Sequence, residues 1–225
     1  QQARLLATAG EDLRPDVYSH SSIRNLYLDT PDFRLIRRSL EKPVYKEKLR
    51  LRSYGRTERD SPVFMELKKK YRSIVYKRRL TLPYDRALDC LTGACPWPET
   101  QIGGEIRYTV DFYPDLESRV FLAYERDSWL APESGLRITF DDAIRFRTEE
   151  LTLDSDPWGT ALLGPDQVLM ELKAPGAIPL WMVRLLTEMR LYKTSFSKYG
   201  TAYQLLLERE WKDLLTKVKY FSAGF

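Results

Sequence analysis

Lysine and arginine occupy alternate positions in one short segment, and this spacing limits what the chain can fold into more than any other feature. The cations of the segment 45–53 are Lys46, Lys48, Arg50 and Arg52. Successive side chains of a β-strand point to opposite faces, so the spacing predicts a strand with all four cations on one face. Four like charges in a row repel each other unless anions or water lie between them. The segment therefore predicts a basic strand face that meets either water or an anionic ligand.

The same alternation continues through five further predicted strands. Their shared faces hold Phe64, Glu66, Lys68 and Lys70; Val75, Lys77 and Arg79; Leu122, Tyr124 and Arg126; Arg137, Thr139 and Asp141; and Leu169, Glu171 and Lys173. An antiparallel sheet with one solvated face also alternates polar and apolar residues. A solvated face usually mixes the two charge signs, whereas the polar faces of the first and third basic strands carry cations only.

The few acids on these faces favour a phosphate site. Glu66 and Glu171 each precede a lysine by two residues. Many cationic donors suit phosphate oxygens, and a few carboxylates suit Mg²⁺ or Mn²⁺. Antiparallel strands can also curl and close, which places one face inside. If the basic face is interior, it forms a positively charged tunnel that an anionic chain could thread.

Scarce residues and missing motifs exclude several kinds of chemistry. The chain has 36 Lys and Arg against 32 Asp and Glu, a net charge of +4, and a single histidine, His20. No Gly-x-Ser-x-Gly surrounds a serine, which argues against a triad hydrolase. Cys90 and Cys95 are too few for a disulfide framework or a zinc site, so we expect free thiols. Glycine-rich nucleotide motifs are also absent, so any phosphate chemistry must rest on side chains.

Composition and element order predict a single α+β domain over residues 1–225, dominated by an antiparallel sheet. A hydrophobic content of 43% is enough for a core, and a mean hydropathy of −0.44 with short apolar runs predicts a soluble protein without a membrane span. No signal peptide is expected. The predicted strands cover 22–28, 44–54, 62–70, 73–82, 119–126, 136–141, 151–153 and 168–173. The predicted helices cover 1–9, 29–40, 84–92, 99–113, 179–191 and 197–219.

Eight short motifs follow one another between about Asn25 and Tyr203. They are Tyr27–Pro31, Leu49–Gly55, Phe64–Lys68, Tyr76–Arg79, Tyr124–Arg126, Leu136–Asp141, Met170–Lys173 and Phe196–Tyr199. In their order and spacing the chain resembles the VTC domain, the polyphosphate polymerase branch of the CYTH or triphosphate tunnel metalloenzyme superfamily. The resemblance implies an antiparallel β-barrel of the triphosphate tunnel fold with flanking helices, in which the helices of 179–219 cap or flank the tunnel.

The resemblance also implies an activity and its residues. The activity is transfer of the γ-phosphate of ATP onto a polyphosphate chain inside the tunnel, with Mn²⁺ or Mg²⁺ as cofactor. The implied phosphate-binding cations are Arg50, Arg52, Lys68, Lys77, Arg126 and Arg137. Ser197 and Lys198 match phosphate contacts at the start of the last helix, Tyr124 matches a tyrosine near the nucleotide phosphates, and Glu171 matches the metal ligand. Alternation adds Arg79 and Lys173 as inward candidates.

One departure from the family pattern concerns the start of the chain. The family usually opens with a strand that carries a Glu and Lys pair in a Tyr-Glu-x-Lys-Tyr context, and no such motif precedes Gln1. We therefore expect one strand of the tunnel, and one phosphate-binding lysine, to be missing from this sequence.

Three other functions compete with the polymerase. Related tunnel triphosphatases and adenylate cyclases carry more tunnel acids for two metals, so the few inward acids here favour the polymerase. A binding module for polyphosphate or inositol phosphates would need no turnover. A nucleic-acid partner is not expected, because no aromatics alternate with the cations of 45–53 as a stacking platform requires. The expected partners are ATP and polyphosphate, and a membrane partner stays open. The expected location is the cytoplasm, including the cytoplasmic face of a membrane.

Overall fold

A long antiparallel sheet with helices on both faces forms the body of the protein. The structure is a computed structural model that describes the backbone of residues 1–222 and the side chains of residues 1–212. The strands are β1 (Arg14–Asp29), β2 (Tyr45–Tyr54), β3 (Pro62–Tyr71), β4 (Ile74–Pro83), β5 (Glu117–Ala131), β6 (Leu136–Arg147), β7 (Thr160–Ala161) and β8 (Leu169–Lys173). The helices are α1 (Gln2–Ala9), α2 (Arg34–Leu40), α3 (Tyr84–Thr92), α4 (Gln101–Phe112), α5 (Leu180–Glu188) and α6 (Lys198–Ser222), with a short 3₁₀ turn at Gly10–Asp12.

Every strand pairing in the described residues is antiparallel. The order across the sheet is β4-β3-β2-β1-β5-β6-β7, and β8 pairs with β6 beside β7. Within the described part of the chain no pairing joins β4 to β8, so the sheet is curled rather than closed. Register shifts interrupt the pairing of β1 with β5 and of β5 with β6, and such irregularities increase local twist and bend strands.

In the described residues, three apolar clusters hold the helices against the sheet. The outer face of β1 to β5 packs on α3 and α4 through residues such as Leu49, Met65 and Ile106. The middle of the inner face packs on α2 and α6 through Tyr27, Ile36 and Tyr199. The third cluster joins α1 and α5 to the ends of β5 and β6 and includes Leu5, Leu136 and Met182. The charged half of the inner face is left for other contacts.

The predicted tunnel fold is confirmed, with differences at several element boundaries. β1 begins eight residues earlier than predicted, and β5 and β6 continue beyond the predicted 126 and 141. The prediction of a strand at 151–153 is wrong. Leu153 instead packs in the outer core and bonds through its backbone to the Tyr84 hydroxyl and to Arg24, so its groups are satisfied without a neighbouring strand.

Two further predictions concern single residues. Cys90 and Cys95 are free thiols, as expected. His20 precedes the predicted strand of 22–28, but in the structure it lies inside β1, exposed, where Nδ1 contacts Oδ1 of Asp127 at 2.9 Å. Among the described residues no helix is long and apolar enough to cross a membrane.

Candidate functional site

The cations singled out by alternation lie together on the concave side of the curled sheet. We call this surface the channel face, and it consists of Lys48, Arg50, Arg52, Glu66, Lys68, Lys77, Arg79, Arg126, Asp141, Glu171 and Lys173, with Lys198 from α6. The strand registers place Lys68 directly opposite both Lys48 and Lys77. Directly opposite residues share a face, so the register confirms that these side chains project together.

The curl brings the two ends of the sheet to face each other. Burial first, and then the charges of Lys77 and Arg50, lower the pKa of Lys68 on β3, while Glu171 on β8 acts in the opposite direction. In the same way, burial first and the cations Arg126 and Lys77 lower the pKa of Lys173 against the opposing effect of Glu171. These influences run between β8 and the strands β3 and β4 at the other end of the strand order, as expected for a sheet that curls.

Glu66 is the centre of an arginine cluster on β2, β3 and β4. Arg50 donates from Nε to its Oε2 at 2.8 Å, and Arg79 donates from Nε to its Oε1 at 2.9 Å. Arg52 Nε lies 3.7 Å from Oε2 and donates to Oδ1 of Asn25 at 3.0 Å. Burial alone would raise the pKa of Glu66, but the charges of Arg50 and Arg52 lower it to about 2. One ionised carboxylate thus fixes three arginines on the channel face.

Asp141 organises a second cluster on the opposite wall. This carboxylate is fully buried, and Arg126 binds it through two hydrogen bonds of 2.6 and 2.7 Å. Lys198 Nζ lies 2.5 Å from its second oxygen. Burial lowers the pKa of Arg126, but the hydrogen bond to Asp141 outweighs this effect and raises it. Asp141 therefore holds a strand cation and a helix cation at one place.

Glu171 lies beside this second cluster, and its oxygens are farther from cations than those of Asp141 are. Its carboxylate is 3.4 Å from Lys173, 3.6 Å from Lys198 and 4.0 Å from Arg126. Burial raises the pKa of Glu171, and these three cations lower it below its usual value. With 38% of its side chain exposed, Glu171 is ionised and can reach a ligand in the channel.

The start of α6 enters the concave side. Ser197 caps the helix by accepting from the Gly200 N–H at 3.2 Å, and its hydroxyl also accepts from Lys48 Nζ at 3.0 Å. The first backbone N–H groups of a helix attract anions. Burial lowers the pKa of Lys48, so its ammonium is poorly solvated where it meets the helix. A phosphate here would meet a helix end, a serine and two lysines.

Tyrosine side chains contact the cations of both clusters. Tyr124 is buried, with Lys198 Nζ 4.6 Å and Arg126 Cζ 5.3 Å from its ring centre. The hydroxyl of Tyr27 accepts from Arg50 at 2.9 Å, and its ring stacks on Tyr199 at 4.4 Å. Rings below a cation stabilise its charge and restrict its position. These three buried tyrosines thus preorganise the cations of the channel face.

Two channel lysines have no acidic partner. Among the described residues, Lys68 and Lys77 have no carboxylate oxygen within 4.0 Å, and both side chains are exposed. They are directly opposite each other, and their charges repel. Their position leaves them free for an anionic ligand, in contrast to Arg50, which is committed to Glu66.

Arg137 shares a face with its register partner Lys173, but it makes its ion pair outside the clusters of Glu66 and Asp141. It is paired with Lys173 in the register of β6 and β8, but its guanidinium lies 2.7 Å from Asp16 at the start of β1 and is 58% exposed. The other predicted residues, Arg50, Arg52, Lys68, Lys77, Arg79, Tyr124, Arg126, Glu171, Lys173, Ser197 and Lys198, are brought together on or around the channel face. Their roles stay predictions.

Sequence reasoning left several organising residues out of the predicted site. Asp141 and Lys48 are on the faces that alternation had sorted, so the same pattern could have identified them. Asn25 and Tyr27 lie in the register opposite Arg52 and Arg50, which needed the pairing of β1 with β2. Tyr199 follows a predicted phosphate ligand, and nothing in the local sequence shows that it reaches β1.

The acids of the channel face fit a divalent cation that arrives with phosphates. Both oxygens of Asp141 and both oxygens of Glu66 are engaged by cations, which leaves Glu171 as the accessible carboxylate. In the described part of the chain no group of three or more His, Cys, Asp or Glu residues is placed to hold a metal. Mg²⁺ commonly uses one or two carboxylates and completes its shell with water and substrate phosphates. Glu171 fits that kind of site.

A curled antiparallel sheet with a cation-lined concave face defines a protein of the CYTH-type tunnel fold. Among solved structures, the chain is similar to a protein named as a "putative adenylate cyclase" from Bacillus halodurans, with a TM-score of 0.50 and 14% sequence identity over 87% of this chain and 86% of that one. The family model of the VTC domain matches residues 2–207, so the chain belongs to the VTC domain family. No curated protein sequence matches it significantly.

Proposed function

We propose that this protein is an ATP-dependent polyphosphate polymerase that transfers the γ-phosphate of ATP onto a polyphosphate chain held on the channel face. The observation that carries the proposal is the excess of cations over available acids there. Glu66 and Asp141 are saturated, while Lys68 and Lys77 have no acidic partner among the described residues. Membership of the VTC domain family supports the same conclusion.

In the proposed reaction, a terminal phosphate oxygen of the chain attacks the γ-phosphorus of ATP. The bond between that phosphorus and the β–γ bridging oxygen breaks, ADP leaves, and the chain grows by one phosphate. Phosphoryl transfer depends mainly on positioning and on stabilisation of charge. Arg50, Arg52 and Arg79, fixed by Glu66, present a rigid set of donors, and Lys68 and Lys77 add charge opposite β8.

The second cluster supplies the other half of the proposed site. Arg126 and Lys198, fixed by Asp141, and the Ser197 end of α6 would hold the remaining phosphates. A divalent cation bound with the phosphates at Glu171, Mn²⁺ or Mg²⁺, would neutralise part of their charge. The attacking phosphate oxygen already carries charge near neutral pH, so the reaction needs no general base. This fits a chain whose only histidine, His20, pairs with Asp127 rather than with any group of the channel face.

Use of ATP and the free thiols of Cys90 and Cys95 both favour the cytoplasm as the place of action. Polyphosphate is the proposed second ligand.

The proposal is tested by incubating the protein with ATP and Mn²⁺ and separating the products. We expect polyphosphate chains to form, with one ADP released for each phosphate added to a chain. Orthophosphate as the only phosphate product would replace the proposal with a triphosphatase, and cyclic nucleotide with pyrophosphate would replace it with a cyclase. Tight tripolyphosphate binding without turnover would replace it with a phosphate-sensing module.

A further inference from the structure

The cationic rows of the channel face continue beyond the proposed site. Lys46 on β2 is directly opposite Lys70 on β3, two residues farther along each strand than the pair of Lys48 and Lys68. Two strand residues correspond to about 6.6 Å. Because side chains alternate, Lys46 and Lys70 project from the same face as the site, towards the turn between β3 and β4.

Neither of these two lysines is neutralised by an acid. Among the described residues, neither has a carboxylate oxygen within 4.0 Å, and the hydrogen bond that Lys46 makes is from Nζ to the Ser39 carbonyl at 2.8 Å. Burial first, and then the charges of Lys70 and Lys42, lower the pKa of Lys46. Like charges directly opposite each other destabilise a sheet. An anion bound at Lys46 and Lys70 would relieve this repulsion.

The opposite face of the same two strands shows the contrast. There, Glu47 is directly opposite Lys69, so one acid and one base share the position. Glu47 is buried and accepts hydrogen bonds from Tyr45 and Tyr113. The outer face therefore mixes charge signs as an ordinary sheet surface does, and the run of like charges is confined to the channel side.

We propose that Lys46 and Lys70 form an outer subsite for a linear polyanion, where a phosphate chain longer than a triphosphate passes out of the channel face. This inference rests on the proposed function, because it names where the longer substrate or product lies. The subsite adds two charges in line with Lys48, Lys68 and Lys77. A triphosphate bound among the inner cations does not extend to it, whereas a longer chain does.

The test compares two probes, tripolyphosphate and a polyphosphate of several tens of phosphates, on the full chain. For the double variant Lys46→Ala/Lys70→Ala, we expect tripolyphosphate affinity within about twofold of wild type and long-chain affinity reduced about tenfold, near 1.4 kcal/mol. Removing two phosphate contacts should also flatten the dependence of log K on log salt by about 1.4 for the long chain. The matched control is Lys69→Ala, on the outer face of the same strand.

The outcomes separate the inference from the proposed function. Equal binding of the long chain by wild type and double variant would overturn the subsite while leaving the proposed function intact. Equal weakening of both probes, or an equal effect of Lys69→Ala, would also overturn it. If wild type binds neither probe, the proposed function itself fails. The double variant relieves like-charge repulsion but loses the bond from Lys46 to the Ser39 carbonyl, so its melting temperature should stay close to that of wild type, and that measurement excludes misfolding.

Discussion

The phenolic hydroxyl of Tyr199 donates a 2.8 Å hydrogen bond to Oδ2 of Asp29, across 170 residues of chain. Asp29 is fully buried at the end of β1 and also accepts from the backbone N–H groups of Thr30, Leu35 and Ile36. Burial raises the pKa of Asp29 against the effect of these bonds. Because Tyr199 directly follows Lys198, this bond fixes the end of α6 that enters the channel.

Tyr199→Phe should therefore weaken phosphate binding without contacting phosphate. The substitution keeps the stacking on Tyr27 but removes a hydrogen bond to a charged group, with an expected loss of about 1.5–3 kcal/mol in stability. We expect weaker tripolyphosphate binding by calorimetry in the wild-type background and little further loss in a Lys198→Ala background. The matched control is Tyr203→Phe on the same helix, whose hydroxyl makes no hydrogen bond among the described residues. Equal loss in both backgrounds would contradict a positioning role.

Glu66 should make stability depend on pH in acid. Its pKa is lowered from 4.5 to about 2 by Arg50 and Arg52 against the effect of burial, a difference worth on the order of 3 kcal/mol. Because its pKa is lower in the folded state, the ionised carboxylate of Glu66 stabilises the fold at pH values above its unfolded pKa. This stabilisation is lost as pH falls through the folded pKa. Urea unfolding should thus show Glu66→Gln less stable than wild type at pH 6, with the gap shrinking between pH 4.5 and 2. A gap that is constant over this range would contradict the account.

The unpaired lysines should contribute to binding rather than to stability. Lys68→Ala should weaken tripolyphosphate about tenfold, with an unchanged or higher melting temperature because repulsion from Lys77 is relieved. The double variant Arg52→Ala/Lys68→Ala should abolish polymerisation. Arg78→Ala, which changes a cation on the opposite face of β4 that pairs with Glu105, is the control and should leave tripolyphosphate affinity unchanged. Wild-type activity in the double variant would contradict the site.

Glu171 should set the metal requirement. Glu171→Gln keeps the shape of the side chain but removes the accessible channel carboxylate, so the Mn²⁺ concentration for half-maximal activity should rise about tenfold or more. Glu125→Gln, on β5 beside His20, should leave that concentration unchanged. A metal requirement identical in both variants would show that the metal is held by phosphates alone.

The faces of the sheet could be predicted from sequence because alternation depends on strand geometry alone. Lys48, Arg50 and Arg52 were sorted correctly before any pairing was known, and the register of β2 with β3 then placed Glu66 among the arginines. The early start of β1 could not be predicted, because Ser19, His20 and Ser21 show no apolar alternation and depend on pairing with β5 for their strand conformation.

The meeting of α6 with the channel could not be predicted either. The contacts of Lys198 with Asp141 and of Tyr199 with Asp29 join residues far apart in sequence, and they depend on how far the sheet curls. The strand wrongly predicted at 151–153 also reflects long-range packing. Leu153 is apolar because it packs in the outer core, not because it belongs to a β-strand. Local patterns thus define the faces, while long-range packing decides which side chains meet.

The measurement that tests the central claim most directly follows the γ-phosphate itself. Wild-type protein is incubated with Mn²⁺, a polyphosphate primer and ATP labelled at the γ-phosphate, and the chains are separated from orthophosphate and nucleotide. The account predicts label in lengthened chains, formed together with an equal amount of ADP and lost in the Arg52→Ala/Lys68→Ala variant. Label found in orthophosphate alone, with the primer unchanged in length, would contradict it.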